Sequence, residues 1–142
     1  MRAVFADTSY WIALLGKRDP WRGEALRARR DVADAPLVTV DEVLVEFLAA
    51  LSAAGPETRV QAASFVRSIL AHPNIEVVAQ SRDSFLNGLA LYSARRDKTY
   101  SLTDCVAINL MRARSISAAL TTDEHFAQEG FTALMRRGPA SE

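Results

Sequence analysis

Short apolar runs rich in β-branched residues alternate with longer stretches in which apolar positions recur every three or four residues. The short runs have the length of buried strands, and the longer stretches have the periodicity of amphipathic helices. The pattern predicts strands at residues 3–6, 37–40, 75–78, 118–121 and 131–134. It predicts helices at residues 11–15, 20–30, 41–54, 57–71, 81–96, 103–114 and 123–128. Gly55-Pro56 and His72-Pro73 end two of these helices.

The order of these elements predicts an α/β fold. Strands separated by helices favour a parallel β-sheet flanked by helices on both faces. With 142 residues and no repeat or linker, we expect a single domain over residues 1–142. Folds of this kind bind ligands at the carboxyl ends of the strands, so the residues that follow each strand are the candidates for function.

Four acids fall where this topology brings side chains together. Asp7 directly follows the first strand, and Asp123 lies two residues beyond the fourth. Glu46 lies one turn into the helix after the second strand, and Asp104 lies in the first turn of a later helix. The carboxyl ends of parallel strands share one edge of the sheet, so we expect the four carboxylates to converge there.

Such a cluster has a chemical use that explains its electrostatic cost. Carboxylates held close together repel one another, and a divalent cation removes that repulsion. Oxygen ligands suit Mg²⁺ or Mn²⁺, and these ions promote hydrolysis of phosphodiester bonds. We therefore predict that the four acids are both the metal ligands and the catalytic residues.

Each acid also has a structural alternative as a helix cap. The capping-box pattern fits residues 39–42, 101–104 and 121–124. On this spacing we expect Glu42 and Glu124 to be cap partners. Asp104 fits either role, and Asp7 fits the N-terminal cap of the helix that follows it.

Composition adds few further constraints. Lys+Arg and Asp+Glu both total 17, so no overall basic field attracts nucleic acid and any such site is a local patch. Arg95, Arg96 and Lys98 form the densest basic group, which fits an RNA backbone or a dipole-stabilised helix end. Cys105 is the single cysteine, which excludes an internal disulfide and fits a reducing compartment. No leader or long apolar span is evident, so we expect a cytoplasmic protein.

Several motifs occur together in a fixed order. Asp7-Thr8-Ser9 follows the first strand, and a glutamate follows within TVDEVLVEFLAAL. DKTYSLTDC places Asp104-Cys105 at a helix start, TTDEHF carries Asp123, and Gly130-Phe131 comes after it. With these motifs the sequence resembles the PIN-domain ribonucleases, and most of all the VapC-like toxins of bacterial toxin–antitoxin pairs.

The resemblance implies a fold, an activity and partners. The family fold is a parallel α/β/α sandwich, in agreement with the element order. The family pattern aligns on residues 43–46, which selects Glu46 over Glu42. The implied activity is RNA cleavage that depends on Mg²⁺ or Mn²⁺, with an antitoxin protein as partner. The toxin resemblance, together with apolar residues near Trp11, Leu14 and Leu15, leads us to expect a homodimer.

Other side chains have open roles. Hydroxyls at the motifs fit either helix caps or groups that orient metal ligands; these are Thr8, Ser9, Ser101 and Thr103. His125 fits either a phosphate contact or a surface position. Tyr10, Trp11 and Trp21 fit base stacking, although core packing or a dimer interface is the better expectation for them. A Cys105 nucleophile is disfavoured, because a lone cysteine usually packs as a small apolar residue.

Two other classes of function deserve comparison with the nuclease. A non-catalytic protein that binds RNA or a partner has no need for four mutually repelling acids. A phosphorylated receiver or a phosphotransferase also has acids at strand ends. A phosphotransferase of the phosphatase type needs an aspartate two places after its nucleophile, but Ser9 occupies that place after Asp7. A receiver usually carries its phosphorylated aspartate after the third strand, but Ala79 and Gln80 follow that strand here.

Overall fold

The computed structural model describes residues 2–136. Its strands are β1 (Val4–Ala6), β2 (Leu37–Val40), β3 (Ile75–Val78), β4 (Ala118–Leu120) and β5 (Thr132–Ala133). Its helices are α1 (Thr8–Leu15), α2 (Arg22–Asp31), α3 (Asp41–Ala50), α4 (Pro56–Ala71), α5 (Arg82–Ala94), α6 (Leu102–Ala113) and α7 (Glu124–Gln128), followed by a 3₁₀ turn at Leu134–Arg136.

The strands form one sheet in the order β3-β2-β1-β4-β5, and every pairing is parallel. This confirms the predicted α/β fold. The chain builds the sheet outward from β1 to β3 in one direction and then adds β4 and β5 on the other side of β1. The carboxyl ends of β1 and β4 therefore flank the point where the strand order reverses, which is where such sheets open a crevice for ligands.

The core lies against both faces of this sheet. The three residues of β1 are all buried, and the largest fully buried side chains include Phe5, Phe47 and Phe126. Tyr10 and Trp11 are 2% and 3% exposed, so these rings pack in the core rather than stack bases. On another side of the domain α5 packs closely on α6 at Gly88, where an added Cβ would lie 2.8 Å from Val106 Cγ2.

The differences from the sequence prediction concern element ends. Helix α1 begins at Thr8, directly after Asp7, and not at residue 11. Helix α3 ends at Ala50, because residues 51–54 form turns before Gly55, whose φ is +104°. The last strand contains only two residues of the predicted 131–134. Within residues 2–136 no helix combines the length and apolar character needed to cross a membrane.

Candidate active site

All four predicted acids line one cleft of about 470 Å³. The cleft lies at the carboxyl ends of β1 and β4, where Asp7 and Asp123 follow their strands. Glu46 reaches it from α3, and Asp104 reaches it from the first turn of α6. The strand-end rule therefore predicted the position of Asp7 and Asp123, because backbone topology decides which strand ends meet.

Asp7 is the most deeply placed of these acids. It stands at the N-cap position of α1, but its side chain makes no cap hydrogen bond and is 5% exposed. Burial raises the pKa of Asp7 to about 7, the hydrogen bond from Thr121 opposes that rise, and the charges of Asp104 and Glu46 add to it. The alternative of a helix-capping Asp7 is therefore not supported.

Thr121 links the two strand ends that carry Asp7 and Asp123. Its hydroxyl donates to Asp7 Oδ2 at 2.8 Å and accepts a hydrogen bond from the backbone N–H of Asp123 at 2.9 Å. Ser9 supports the same junction, because its hydroxyl accepts a hydrogen bond from the Thr122 N–H at 3.0 Å. Thr121 was not among the residues predicted for the site, because the pattern placed it within the fourth strand at residues 118–121, whereas β4 ends at Leu120.

The two glutamates of α3 face different surroundings. Glu46 accepts a hydrogen bond from the Thr8 hydroxyl inside the cleft, so Thr8 orients an acid rather than capping α1. Glu42 lies one turn earlier and lines a neighbouring cavity instead. Its predicted capping box is wrong, because Val40 is the N-cap of α3 and Thr39 donates to the Ala6 carbonyl at 2.8 Å.

Asp104 caps α6 and also lines the cleft. It forms a capping box with Ser101, in which Ser101 N–H donates to Asp104 Oδ2 at 2.9 Å and Asp104 N–H donates to the Ser101 hydroxyl at 3.0 Å. The same carboxylate lines the cleft, and His125 Nδ1 lies 2.9 Å from its Oδ2. The cap fixes the carboxylate at the start of α6, where the helix dipole favours a negative charge.

His125 belongs to the site, which the sequence analysis left open. Asp123 caps α7 by accepting from His125 N–H at 2.9 Å, and the ring turns back so that Nδ1 lies 3.0 Å from Asp123 Oδ1. Nε2 lies 3.0 Å from the Thr99 hydroxyl, and the ring packs beside Tyr100 at 5.1 Å between centroids. Glu124, the expected cap partner, is exposed and approaches Arg136 instead.

The donor set fits a hard divalent cation. Ligand atoms from Asp104, Asp123 and His125 lie within 4.8 Å of one another, and Asp7 and Glu46 line the same cleft. Carboxylate oxygens are the preferred ligands of Mg²⁺ and Mn²⁺, and an imidazole nitrogen is compatible with the softer of the two. Burial, with the charges of Asp104 and Glu46 added, raises the pKa of Asp7, and a cation held in the cleft would favour its ionised form.

An ion-pair network around the Glu129 side chain adjoins the site through Tyr100, which also packs beside His125. Glu129 is 5% exposed in its side chain and pairs with Arg95 at 2.9 Å and Arg112 at 2.7 Å, and it accepts from the Tyr100 hydroxyl at 2.8 Å. The Arg95 and Arg112 guanidinium groups and the Tyr100 hydroxyl lower the pKa of Glu129 to about 2, although burial opposes this. Arg95 is therefore paired with an acid of the same domain. Of the basic group Arg95, Arg96 and Lys98, it is the member least available to RNA.

Cys105 has no place in the chemistry of the cleft. Its side chain is fully buried, and burial together with the charge of Asp104 raises the pKa of the thiol. A buried thiol held in its neutral form is a poor nucleophile. This agrees with the expectation that Cys105 packs as an apolar residue.

Comparison with known proteins places this geometry in a family. The family model of the PIN domain matches residues 4–131. The chain belongs to the PIN domain family. The resemblance seen in the motifs is thereby confirmed, and the parallel sheet with its acidic cleft is the PIN fold.

A solved PIN-domain toxin shares nearly the whole fold. The chain is similar to VapC20 of Mycobacterium tuberculosis, described as a toxin that cleaves the sarcin-ricin loop, with a TM-score of 0.78 and 26% sequence identity. The match covers 91% of this chain and 96% of VapC20. A search of curated proteins by sequence finds no match. The similarity therefore supports a VapC-like member of the PIN family.

Proposed function

We propose that this PIN domain is a divalent-metal-dependent endoribonuclease and the toxin of a cytoplasmic toxin–antitoxin pair. The observation that carries the proposal is the convergence of Asp7, Glu46, Asp104 and Asp123 on one cleft at the switch point of the sheet. The similarity to VapC20, which is described as an RNA-cleaving toxin, supports RNA as the substrate.

The four acids would hold Mg²⁺ or Mn²⁺, and His125 stands beside two of them. When bound, such a cation lowers the pKa of water and stabilises negative charge at a phosphodiester. The protein's contribution is to fix the ligands. Thr121 orients Asp7, Thr8 orients Glu46, and the Ser101 cap orients Asp104. Groups that orient metal ligands in this way maintain both affinity and activity.

We also propose that the chain forms a homodimer and binds a cognate antitoxin. The apolar residues that suggested a dimer interface do not form an exposed patch, because Trp11 is buried and Leu14 and Leu15 pack against the core. Exposed apolar side chains occur elsewhere, notably Val45 at 60% and Val60 at 70% on α3 and α4. Light scattering at micromolar concentration, with and without the product of the neighbouring gene, tests this part.

The nuclease proposal is tested by incubating the purified protein with single-stranded RNA in chelator, in Mg²⁺ and in Mn²⁺. We expect cleavage only with metal, because the carboxylates alone do not supply the cation that would lower the pKa of water and stabilise negative charge at the phosphodiester. RNA binding without cleavage in any metal would instead support a non-catalytic PIN-fold protein that binds RNA or a partner.

A further inference from the structure

His125 contacts two of the four acids at once. Its backbone N–H donates to Asp123 Oδ1 at 2.9 Å, and its ring nitrogen Nδ1 lies in hydrogen-bonding position 2.9 Å from Asp104 Oδ2. The same ring nitrogen is 3.0 Å from Asp123 Oδ1. Because Asp104 stands in the first turn of α6 and Asp123 is the N-cap of α7, this one residue joins acids that two separate helices bring to the cleft.

The surroundings of Nδ1 indicate that this nitrogen carries a proton. Without one, its lone pair would face two carboxylate oxygens, which also offer only lone pairs. The Thr99 hydroxyl lies 3.0 Å from the other ring nitrogen, Nε2, and a hydroxyl can either donate to that nitrogen or accept from it. The donor role of Nδ1 therefore does not depend on the charge of the ring.

The carboxylate oxygens that face His125 are the ones already used by the helix caps. Asp104 Oδ2 accepts from the Ser101 N–H, and Asp123 Oδ1 accepts from the His125 N–H. The second oxygen of each carboxylate takes no part in these bonds. Since a carboxylate offers acceptor sites on both oxygens, each acid can bind the protein through one oxygen and a cation through the other.

Two residues of the loop before α6 hold the imidazole in place. Thr99 contacts Nε2, and the Tyr100 ring packs beside the imidazole at 5.1 Å between centroids. Tyr100 is 5% exposed, and its hydroxyl donates to Glu129 at 2.8 Å. Glu129 is the C-cap of α7, so the loop is joined to the far end of the same short helix that carries His125.

We propose that His125 is a positioning residue, which fixes Asp104 and Asp123 relative to each other in the metal site and is not itself a ligand; the proposal rests on the metal-dependent function proposed above. A histidine that ligates a metal offers it the lone pair of a ring nitrogen without a proton, whereas Nδ1 acts here as a donor. Loss of a group that hydrogen-bonds to metal ligands typically weakens metal affinity by about 10-fold to 100-fold. Removing the His125 ring should therefore weaken the metal site while the fold stays intact.

Calorimetric titration with Mn²⁺ in the absence of RNA tests this role. Asparagine carries its amide nitrogen close to the place that Nδ1 has in histidine, so His125→Asn can still donate to Asp104. We expect His125→Ala to bind Mn²⁺ about tenfold more weakly than wild type, and His125→Asn to recover affinity to within about threefold. An affinity of His125→Ala equal to that of wild type would overturn the proposal.

His72→Ala is the matched control for this titration. His72 is the other of the two histidines in the chain, and it lies exposed between α4 and β3. Its ring also makes a local contact, because Nδ1 accepts a hydrogen bond from the Asn74 N–H at 3.0 Å. We expect His72→Ala to bind Mn²⁺ as wild type does, and an equal loss of affinity there would contradict a specific role for His125.

Pulsed electron paramagnetic resonance of bound Mn²⁺ distinguishes a positioning histidine from a ligand. A nitrogen that ligates Mn²⁺ produces a ¹⁴N hyperfine coupling, and we expect no such coupling in the wild-type protein. A ¹⁴N coupling that occurs in wild type and in His72→Ala but is lost in His125→Ala would overturn the proposal, because it would show that His125 binds the ion directly.

Thr99→Val tests whether the loop acts through His125. Removing the hydroxyl should weaken Mn²⁺ binding by about threefold in the otherwise wild-type protein, because Nε2 loses its partner. The same substitution should have no further effect in the His125→Ala protein, since residues that act as one unit are not additive. An equal loss in both backgrounds would contradict the linkage.

Metal binding and RNA cleavage are separate measurements, so the two proposals can fail separately. The expected pattern of Mn²⁺ affinities in a protein that cleaves no RNA would support the positioning role and refute the nuclease. RNA cleavage by wild type, together with unchanged Mn²⁺ affinity in His125→Ala, would refute the positioning role alone. A wild-type protein that binds no Mn²⁺ would refute both.

Discussion

The hydroxyl of Thr121 donates a hydrogen bond to Asp7 Oδ2 at 2.8 Å, and both side chains are buried. The two residues directly follow the neighbouring strands β4 and β1. This bond directly connects the two strand ends that meet at the switch point. It fixes the orientation of the carboxylate that we propose as the deepest metal ligand.

Thr121→Val should test the importance of that orientation. Valine keeps the shape and removes the hydroxyl, so the Asp7 carboxylate loses a donor and the Asp123 N–H loses its acceptor. We expect RNA cleavage to fall by about 10-fold to 100-fold with a native circular dichroism spectrum. Thr121→Ser should retain most activity. The exposed Thr132→Val is the matched control, and an equal loss there would show that the hydroxyl at Thr121 has no special role.

Metal binding should stabilise the protein through the acidic cleft. With free Mn²⁺ at about 100 times its dissociation constant, linkage gives about 2.7 kcal/mol, which raises the melting temperature by roughly 5–10 °C. Asp7→Asn should melt higher than wild type in chelator, because it removes a buried charge that its surroundings disfavour. It should also respond less to Mn²⁺.

Asp7→Asn tests repulsion between the carboxylates more cleanly than Asp104→Asn does. Asp104 also forms the capping box with Ser101 and contacts His125, so its neutralisation changes more than the repulsion. Melting curves for wild type and Asp7→Asn, each in chelator and in Mn²⁺, make the comparison. A wild type without any shift up to millimolar Mn²⁺, or a variant that shifts as far, would exclude a convergent metal site.

Glu129 should contribute a stability that depends on pH. Its pKa falls from 4.5 to about 2 on folding, first because of the hydrogen bond from Arg95. The folded state then binds its proton less tightly than the unfolded state does, so the contribution is present above pH 4.5 and is lost as pH falls towards 2. Glu129→Gln should lower the free energy of unfolding by about 2 kcal/mol at neutral pH.

Urea unfolding at several pH values measures this effect. The difference between wild type and Glu129→Gln should shrink steadily between pH 4.5 and pH 2, because both proteins then carry a neutral group at residue 129. A difference that stays constant over that range would mean that the ion pairs with Arg95 and Arg112 do not stabilise the fold.

Two glycine substitutions should have opposite signs. At Gly88 an added Cβ would meet Val106 Cγ2 at 2.8 Å, so Gly88→Ala should push α5 from α6 and destabilise by about 1–2 kcal/mol. At Gly23, in α2, an added Cβ would have no contact within 4 Å from the rest of residues 2–136 beyond its own helix backbone and chain neighbours. Gly23→Ala should stabilise by about 0.5 kcal/mol, because it restricts the unfolded chain. Chemical denaturation of both variants checks the pair, and a stable Gly88→Ala would show that Val106 moves freely.

Much of the fold could be predicted from local pattern. The strands at residues 37–40 and 75–78 have the predicted bounds, and the strand-end rule placed Asp7 and Asp123 at one edge. These successes share a cause, since buried parallel strands have a distinctive composition and their order limits which ends meet. The roles of Asp7, Glu46, Asp104 and Asp123 as metal ligands stay a prediction.

The remaining features depend on contacts between distant parts of the chain. Spacing suggested that Glu42 was a cap partner, yet Thr39 bonds instead to the strand next to it. His125 joins the site because α7 turns its ring back onto Asp104, 21 residues earlier. Glu129 meets Arg95 across 34 residues. Local sequence patterns do not predict these contacts, because tertiary packing brings together residues that are far apart in the chain.

The central claim is that the acidic cleft cleaves RNA with a divalent metal, and one comparison tests it most directly. Cleavage of the same RNA in Mn²⁺ should be measured for wild type, Asp7→Asn and Asp34→Asn, the last being an exposed aspartate between α2 and β2. We predict that Asp7→Asn loses at least about 100-fold of the activity, that Asp34→Asn keeps it, and that chelator abolishes cleavage by wild type. Full activity in Asp7→Asn, or cleavage that persists in chelator, would contradict the account.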